Sequence, residues 1–364
     1  MAHAARIHSL DVARGIAICL MILSHGVKGL LGFDRIPEWG LVPVHLITKF
    51  SSSLFIIVFG ASLGLFYGHH TGTPEWPARR AQLLKRSLIV LFWYKVLTIV
   101  EMFQLYSRQE ILDAILYRAF PVYSEILGFY AIALLWVPLI LPLWNRLPLF
   151  VKLIVPVTLS GAAYWLSTQP ALFGSTVLKA ILVEDPRHYT WGQLTRGPLI
   201  FSGLLIAEGW KSCLTRAHQL SFSSAIAVTG ILLLASFYVL SPDLRMSFHA
   251  IALNDGKHPP GTEFMLFSIG GALTILAACL SLPASAKPWL ALRPFALLGK
   301  NSLNAFVFHL LILFICYRFL LDLWKKVPYP SALELTLALT LATALWIKLT
   351  NWVHAQPGNI RSAA

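Results

Sequence analysis

The first apolar stretch of this sequence carries four side chains able to do chemistry: Asp11, Arg14, His25 and Lys28. At 100° per residue, Arg14 and His25 fall within about 20° of each other on a helix, separated by roughly 16 Å along its axis. Asp11 lies one turn before Arg14, where a carboxylate suits a helix N-terminus. Charged groups in an apolar segment are costly and usually face a bundle interior or a watery cavity. A neutral imidazole is a natural general base for activating a hydroxyl near pH 7. His25 is therefore the candidate catalytic group, with Asp11 and Arg14 beside it. The plainer alternative makes Asp11 and Arg14 an interfacial pair and His25 a packing residue.

Other candidates are scattered further along. Arg79, Arg80, Lys85 and Arg86 form a basic cluster just before the third apolar stretch, suited to anionic phosphates or to plain topological anchoring. Lys95 lies about 14 residues into that stretch, at a depth like that of His25, and needs a partner there. Glu101, six residues on, is too far round the helix to supply one. Glu125 opens the next stretch and could contact a substrate, orient His25 or simply be hydrated. Ser302 and His309 share a face with Asn301 and Asn304 beside them, which fits helix-to-helix hydrogen bonding or a substrate contact. Gly60 and Gly64 form a small-residue packing notch. No His-Glu-x-x-His, Cys-x-x-Cys or phosphate-cradling glycine loop occurs, so no metal is expected. Cys19, Cys213, Cys279 and Cys316 read as small buried apolar residues.

The elements that position these groups follow from composition. Of the 364 residues, 57% are hydrophobic and 12% charged, and the mean hydropathy is +0.69. An average soluble domain carries roughly twice that charged fraction. Apolar runs of about 20 residues recur from end to end, each long enough to cross the hydrocarbon core. The first run lacks the cleavage site of a signal peptide. Helices are expected over 10–31, 46–67, 81–105, 123–143, 150–166, 194–211, 222–241, 262–282, 301–321 and 331–352. The fold class is thus all-α, a polytopic bundle of about ten transmembrane helices forming one domain over 1–364.

Charge sets the orientation, with both ends inside. The inner segments then carry Arg6, Arg79, Arg80, Lys85, Arg86, Arg146, Lys152, Lys211, Arg216, Lys287, Arg293, Lys300 and Arg361 against Glu75. The opposite loops hold Asp34, Glu38, Glu110, Asp113, Glu184, Asp185, Asp243, Asp255, Glu263 and Asp322, with Lys325 and Lys326 on the wrong side. The net charge of +13 marks a basic inner face suited to anionic membrane lipid, and needs no nucleic acid to explain it.

The segment Arg6–Gly26 (RIHSLDVARGIAICLMILSHG) resembles the opening of membrane acyltransferase family 3, whose first-helix motif is an Arg and a His separated by ten residues, here Arg14 and His25. Leu54–Gly64 (LFIIVFGASLG) is similar to the family's second helix. Leu298–Leu310 (LGKNSLNAFVFHL) looks like its late helix, with Gly-x-x-Ser and then a His. The family's basic motif, two basic residues flanking two others, is met only loosely by Arg79-Arg80 and Lys85-Arg86. The resemblance implies transfer of an acyl group, of acetyl or succinyl type, from cytoplasmic acyl-CoA to a carbohydrate hydroxyl outside a bacterial cytoplasmic membrane. His25 would be the base, the basic cluster would meet the CoA phosphates, and Glu125, Lys95, His309 and Ser302 are the candidate substrate contacts. A transporter or flippase for a glycan or lipid is the rival reading, with the buried charges lining its path. It lacks the paired broken helices in two similar halves that many transporters show.

Overall fold

A computed structural model describes residues 8–31, 42–282 and 288–355; Arg6, Asp34, Glu38, Lys287 and Arg361 lie outside the described residues. Among those described there is no β-strand, and the chain is an all-α polytopic bundle. Among the described residues eight segments are long and apolar enough to cross a membrane.

The chain runs through α1 (His8–Leu31), α2 (Val42–Ile47), α3 (Phe50–Phe66), α4 (Trp76–Met102), α5 (Arg108–Ile115), α6 (Glu125–Arg146), α7 (Leu149–Ser167) and α8 (Thr176–Val183). It continues through α9 (Gln193–Lys211), α10 (Arg216–Leu240), α11 (Leu244–Leu253), α12 (Thr262–Ser281), α13 (Pro288–Lys300), α14 (Ser302–Leu311) and α15 (Tyr329–Ala355). Each of the ten expected spans corresponds to one of these helices or to a consecutive pair. Helices α4 and α9 fall outside the eight apolar spans because of their charges, Lys85, Arg86, Lys95 and Glu101 in one and Arg196 and Glu208 in the other.

Four differences from the sequence reading have physical causes. Helices α5, α8 and α11 have 8 to 10 residues, too short to register as a span, and each is started by a side-chain cap: Ser107, Ser175 and Asp243. Helix α13, 13 residues long, occupies what reads as a loop. The span over 46–67 breaks at Thr48 and Lys49 into α2 and α3. The span over 301–321 changes pitch, with a π-helical segment at Ile312–Leu320 directly after α14. Such insertions frequently accompany functional sites.

Helix α1 lies at the centre, against α3, α13 and α15. Its contact with α13 is so close that a Cβ on Gly299 would stand 1.8 Å from the Asp11 carbonyl oxygen. The expected notch on α3 is real too: a Cβ on Gly60 would stand 2.1 Å from the Ile200 carbonyl of α9. Helices α7 and α10 are peripheral, with Leu153, Val157, Tyr164, Leu232 and Val239 exposed on their outer faces. In a membrane those faces meet lipid.

Candidate active site

Two cavities flank the core of α1. The larger, about 180 Å³, is lined by Arg14, Arg86, Ser62, Tyr130, Ser302 and a wall of apolar side chains including Phe55, Phe59 and Phe306. The smaller, about 40 Å³, is lined by His25, Ser24, Lys49, Tyr123, Glu125 and Lys257, with Thr48, Ser51, Ser52 and Asn254 around them. Ile126 lines both. The Phe306 ring, a wall of the larger cavity, lies edge-on to His25 with centroids 6.1 Å apart. The spacing of Arg14 and His25 on one helix face thus delivers one residue to each cavity.

Arg14 is fixed from three sides. Its Nη2 donates to Ser62 Oγ at 2.5 Å and its Nη1 to the Gly299 carbonyl at 3.3 Å, and Asp11 Oδ1 lies 3.6 Å away. Asp11 is buried beneath it, against α13 and behind the cavity wall. In the same cavity the buried Tyr130 hydroxyl makes no hydrogen bond among the described residues. Of the four clustered basic residues only Arg86 lines the cavity. Arg79, Arg80 and Lys85 are exposed on α4, Arg79 lying 3.8 Å from Glu75.

His25 Nδ1 is 3.1 Å from His309 Nε2, with the two rings stacked at 5.4 Å. The protons on this pair can be assigned from one neighbour. His309 Nδ1 lies 3.0 Å from the Ala305 carbonyl, which only accepts, so Nδ1 carries the proton. Neutral His309 then has its lone pair on Nε2, and His25 Nδ1 must be the donor between the rings. The lone pair of His25 is left on Nε2, which has no hydrogen-bond partner among the described residues. Tyr123 packs edge-on against the His25 ring at 5.4 Å. The chain at Tyr123 is held in turn by Glu101, whose carboxylate accepts from the Val122 and Tyr123 amides at 2.7 and 3.1 Å.

Glu125 Oε1 lies 3.5 Å from Lys257 Nζ, and buried Oε2 has no hydrogen-bond partner among the described residues. Lys257 also donates to the Tyr189 hydroxyl at 3.1 Å. Burial acts to lower the Lys257 ammonium, but Tyr189 and Glu125 beside it hold it above the ordinary lysine range. Behind it, Arg196 donates to the Lys257 carbonyl at 2.6 Å and to Glu184 at 2.8 Å. Glu184 also accepts from His258 Nδ1 at 2.8 Å, and Trp191 Nε1 donates to His258 Nε2 at 3.0 Å. Burial pushes His258 down to about 4 against the pull of Glu184, so it is neutral at pH 7 with both ring nitrogens engaged. It braces the loop and offers no lone pair.

Of the residues singled out in the sequence, the structure brings His25 and Glu125 to the smaller cavity, with buried His309 behind His25, and Arg14, Arg86 and Ser302 to the larger. Lys95 lines neither: it donates to the Ala114 carbonyl at 3.0 Å and lies 3.5 Å from the Tyr117 ring centre. Sequence reasoning passed over Lys257, Arg196 and Tyr123. For Arg196 a signal exists, an arginine inside an otherwise apolar helix. Lys257 and Tyr123 sit on connections, where no periodicity marks them.

A family model described as an acyltransferase domain, that of membrane acyltransferase family 3, matches residues 7–350. The chain belongs to this family. A search of curated proteins finds no match. The acyltransferase is a multi-pass membrane protein, and both cavities lie among its spanning helices.

Proposed function

We propose that this acyltransferase takes an acetyl- or succinyl-type group from acyl-CoA on the cytoplasmic side and esterifies a hydroxyl of a carbohydrate on the outer side of a bacterial cytoplasmic membrane. The N-terminus lies inside, so the Arg14 cavity opens inward and the His25 cavity outward. The observation that carries this reading is the His25–His309 pair anchored on the Ala305 carbonyl, an arrangement that leaves His25 Nε2 to serve as the base at the outer cavity.

The donor phosphates meet Arg86 and the exposed Arg79, Arg80 and Lys85, where guanidinium forks and ammonium groups suit them. The pantetheine arm follows the apolar wall past Arg14 and Ser302, and the thioester reaches the partition at Ile126 and Phe306. A sugar hydroxyl in the outer cavity attacks the thioester carbonyl as His25 Nε2 takes its proton. The resulting imidazolium keeps its Nδ1–H bond to His309 Nε2, which spreads the new charge over two rings. The tetrahedral intermediate collapses, the C–S bond breaks, and the sulfur leaves as CoA thiol with the proton from His25. Glu125 Oε2 accepts a second acceptor hydroxyl and orients the sugar.

The test is direct. Purified protein in lipid vesicles is given labelled acetyl-CoA or succinyl-CoA and cell-envelope glycans, and ester-linked label is sought on the glycan. Labelled glycan from the natural sequence but not from His25→Ala supports the proposal. Passage of glycan or lipid across the vesicle without label would favour the transporter reading.

A further inference from the structure

Among the described residues the buried lysines and arginines differ in what faces them. Lys152, Lys179 and Arg196 each face a carboxylate, Glu208 at 2.7 Å, Asp185 at 3.3 Å and Glu184 at 2.8 Å. Arg318 lies on the backbone carbonyls of Val100, Glu101 and Phe103 at the C-terminal end of α4. Lys49 differs. It is 4% exposed, it lines the His25 cavity, and its Nζ donates to the Ala252 carbonyl at 3.0 Å and to the Asn254 side-chain oxygen. Both acceptors are neutral and lie at the C-terminal end of α11. The same two oxygens also serve Lys28, at 3.2 and 2.9 Å. A helix end offers roughly half a negative charge, screened and short-ranged, to share between two ammonium groups. Asp255 is exposed and attracts Lys49 without forming an ion pair among the described residues.

The Lys28 and Lys49 side chains also hydrogen-bond each other, so two amines crowd together beside the cavity. Across the same cavity Lys257 donates to Tyr189 and reaches Glu125 only at 3.5 Å. The wall therefore presents two lysine side chains against one carboxylate, with Ser51, Ser52 and Thr48 alongside. Burying a charge without a counter-charge costs several kcal/mol unless something of opposite sign completes the site. At about 40 Å³ the cavity holds roughly three waters, room for a reacting hydroxyl and one small neighbouring group but not for a sugar ring.

We infer that the acceptor is anionic, and that Lys49 and Lys257 form a subsite for a carboxylate or phosphate oxygen close to the hydroxyl that His25 deprotonates. This rests on the proposed function for the identity of the second substrate, but the binding itself requires no acyl transfer. An oxyanion there favours the ammonium form of Lys49 beside Lys28 and accepts charge-assisted hydrogen bonds from Lys49 and Lys257. It holds the adjacent hydroxyl beside Glu125 and His25.

The experiment is equilibrium binding to the purified full chain without acyl-CoA, by calorimetry, with three probes: maltotetraose, tetragalacturonate and maltotetraose bearing a terminal phosphate. The readout is the ratio of anionic to neutral affinity. At least one anionic probe should bind ten times or more tighter than maltotetraose, and the better one identifies carboxylate or phosphate as the preferred group. In Lys49→Gln and in Lys257→Gln the ratio should fall to within about threefold of one, while Lys49→Arg keeps most of it. Equal affinities for all three probes overturn the inference. So does a preference that survives in both Gln variants, since it would then arise at the other basic face. Loss of the ratio in Lys49→Gln with an unchanged melting temperature separates a lost subsite from a lost fold. Failure of acyl transfer with the ratio intact would count against the proposed function and leave the anion subsite standing.

Discussion

The two cavities beside α1 share a wall and little else. The one at Arg14 is more than four times larger and mostly apolar, with its guanidinium tied to Ser62 and Gly299. The one at His25 is small and lined with hydroxyls, two lysines and a carboxylate, and its histidine keeps an unengaged nitrogen. Volume and apolar lining suit a long flexible arm, whose binding is mostly burial. A small polar site suits bond-making, where a misplacement of about 1 Å costs heavily. On the proposed reading donor binding and proton transfer are separable along one helix, and mutations should separate them.

The largest expected effect breaks the outer site. His25→Ala should lower turnover by roughly 10²–10⁴-fold, the usual range for removing a general base, with donor affinity nearly unchanged. Binding of a non-hydrolysable acyl-CoA analogue and single-turnover transfer, measured on the same preparation, check it. If donor affinity falls in step with turnover, the two cavities are not separable.

His309→Ala comes next. It removes the acceptor that fixes the His25 tautomer and shares its developing charge. A hydrogen bond to a charged group contributes about 1.5–3 kcal/mol, which corresponds to roughly 10–100-fold in turnover. His309→Gln, with an oxygen able to accept from Nδ1, should recover part of the loss, and the pH–rate profile should move with the variant. A purely packing role would instead lower the melting temperature and leave that profile in place.

On the inner side, Arg14→Ala should raise the KM for acyl-CoA by about tenfold with a smaller change in kcat, about 1.4 kcal/mol of binding. Arg86→Gln should raise it less. Arg79→Gln and Arg80→Gln should stay within about twofold, because exposed charges are screened, and those effects should shrink further in high salt. Initial-rate kinetics at two ionic strengths order the four.

The smallest effect on neutral-pH turnover concerns the loop at His258. An unfolded imidazole titrates near 6.5 and the folded one near 4. Between those values the unfolded chain binds the extra proton, so this contribution is complete above about pH 6.5 and is lost as pH falls towards 4. From pH 7 to pH 5 the loss is roughly 2 kcal/mol. The melting temperature should drop over that interval, and less steeply in His258→Gln, which cannot take up a proton on unfolding.

The helical period made Arg14 and His25 legible, since eleven residues nearly complete three turns whatever surrounds them. The same holds for Ser302 and His309. The short α13 was hidden because 13 residues fall below the length of a membrane span, and its role is a close approach at Gly299 that hydropathy does not encode. For Lys95 depth was readable and direction was not: α5 supplies the Ala114 carbonyl that takes it. Lys257 lies on a connection whose position depends on Arg196 holding its carbonyl, a tertiary contact 61 residues apart in sequence. What periodicity carries could be read; what two distant segments build together could not.

The partition at Ile126 and Phe306 has a consequence for the cell as a whole. A membrane under voltage discharges through any continuous file of water, and charge crossing it is worth about 2.3 kcal/mol per 100 mV. Here one isoleucine side chain faces both cavities and one phenylalanine ring stands against the histidine, so the two wet spaces meet across hydrocarbon. On the proposed reading the acyl carbon and the proton carried by His25 pass that plug by bond exchange, while a hydrated ion meets an apolar wall. If the plug holds the voltage, a smaller side chain at 306 is the place where current would begin to leak.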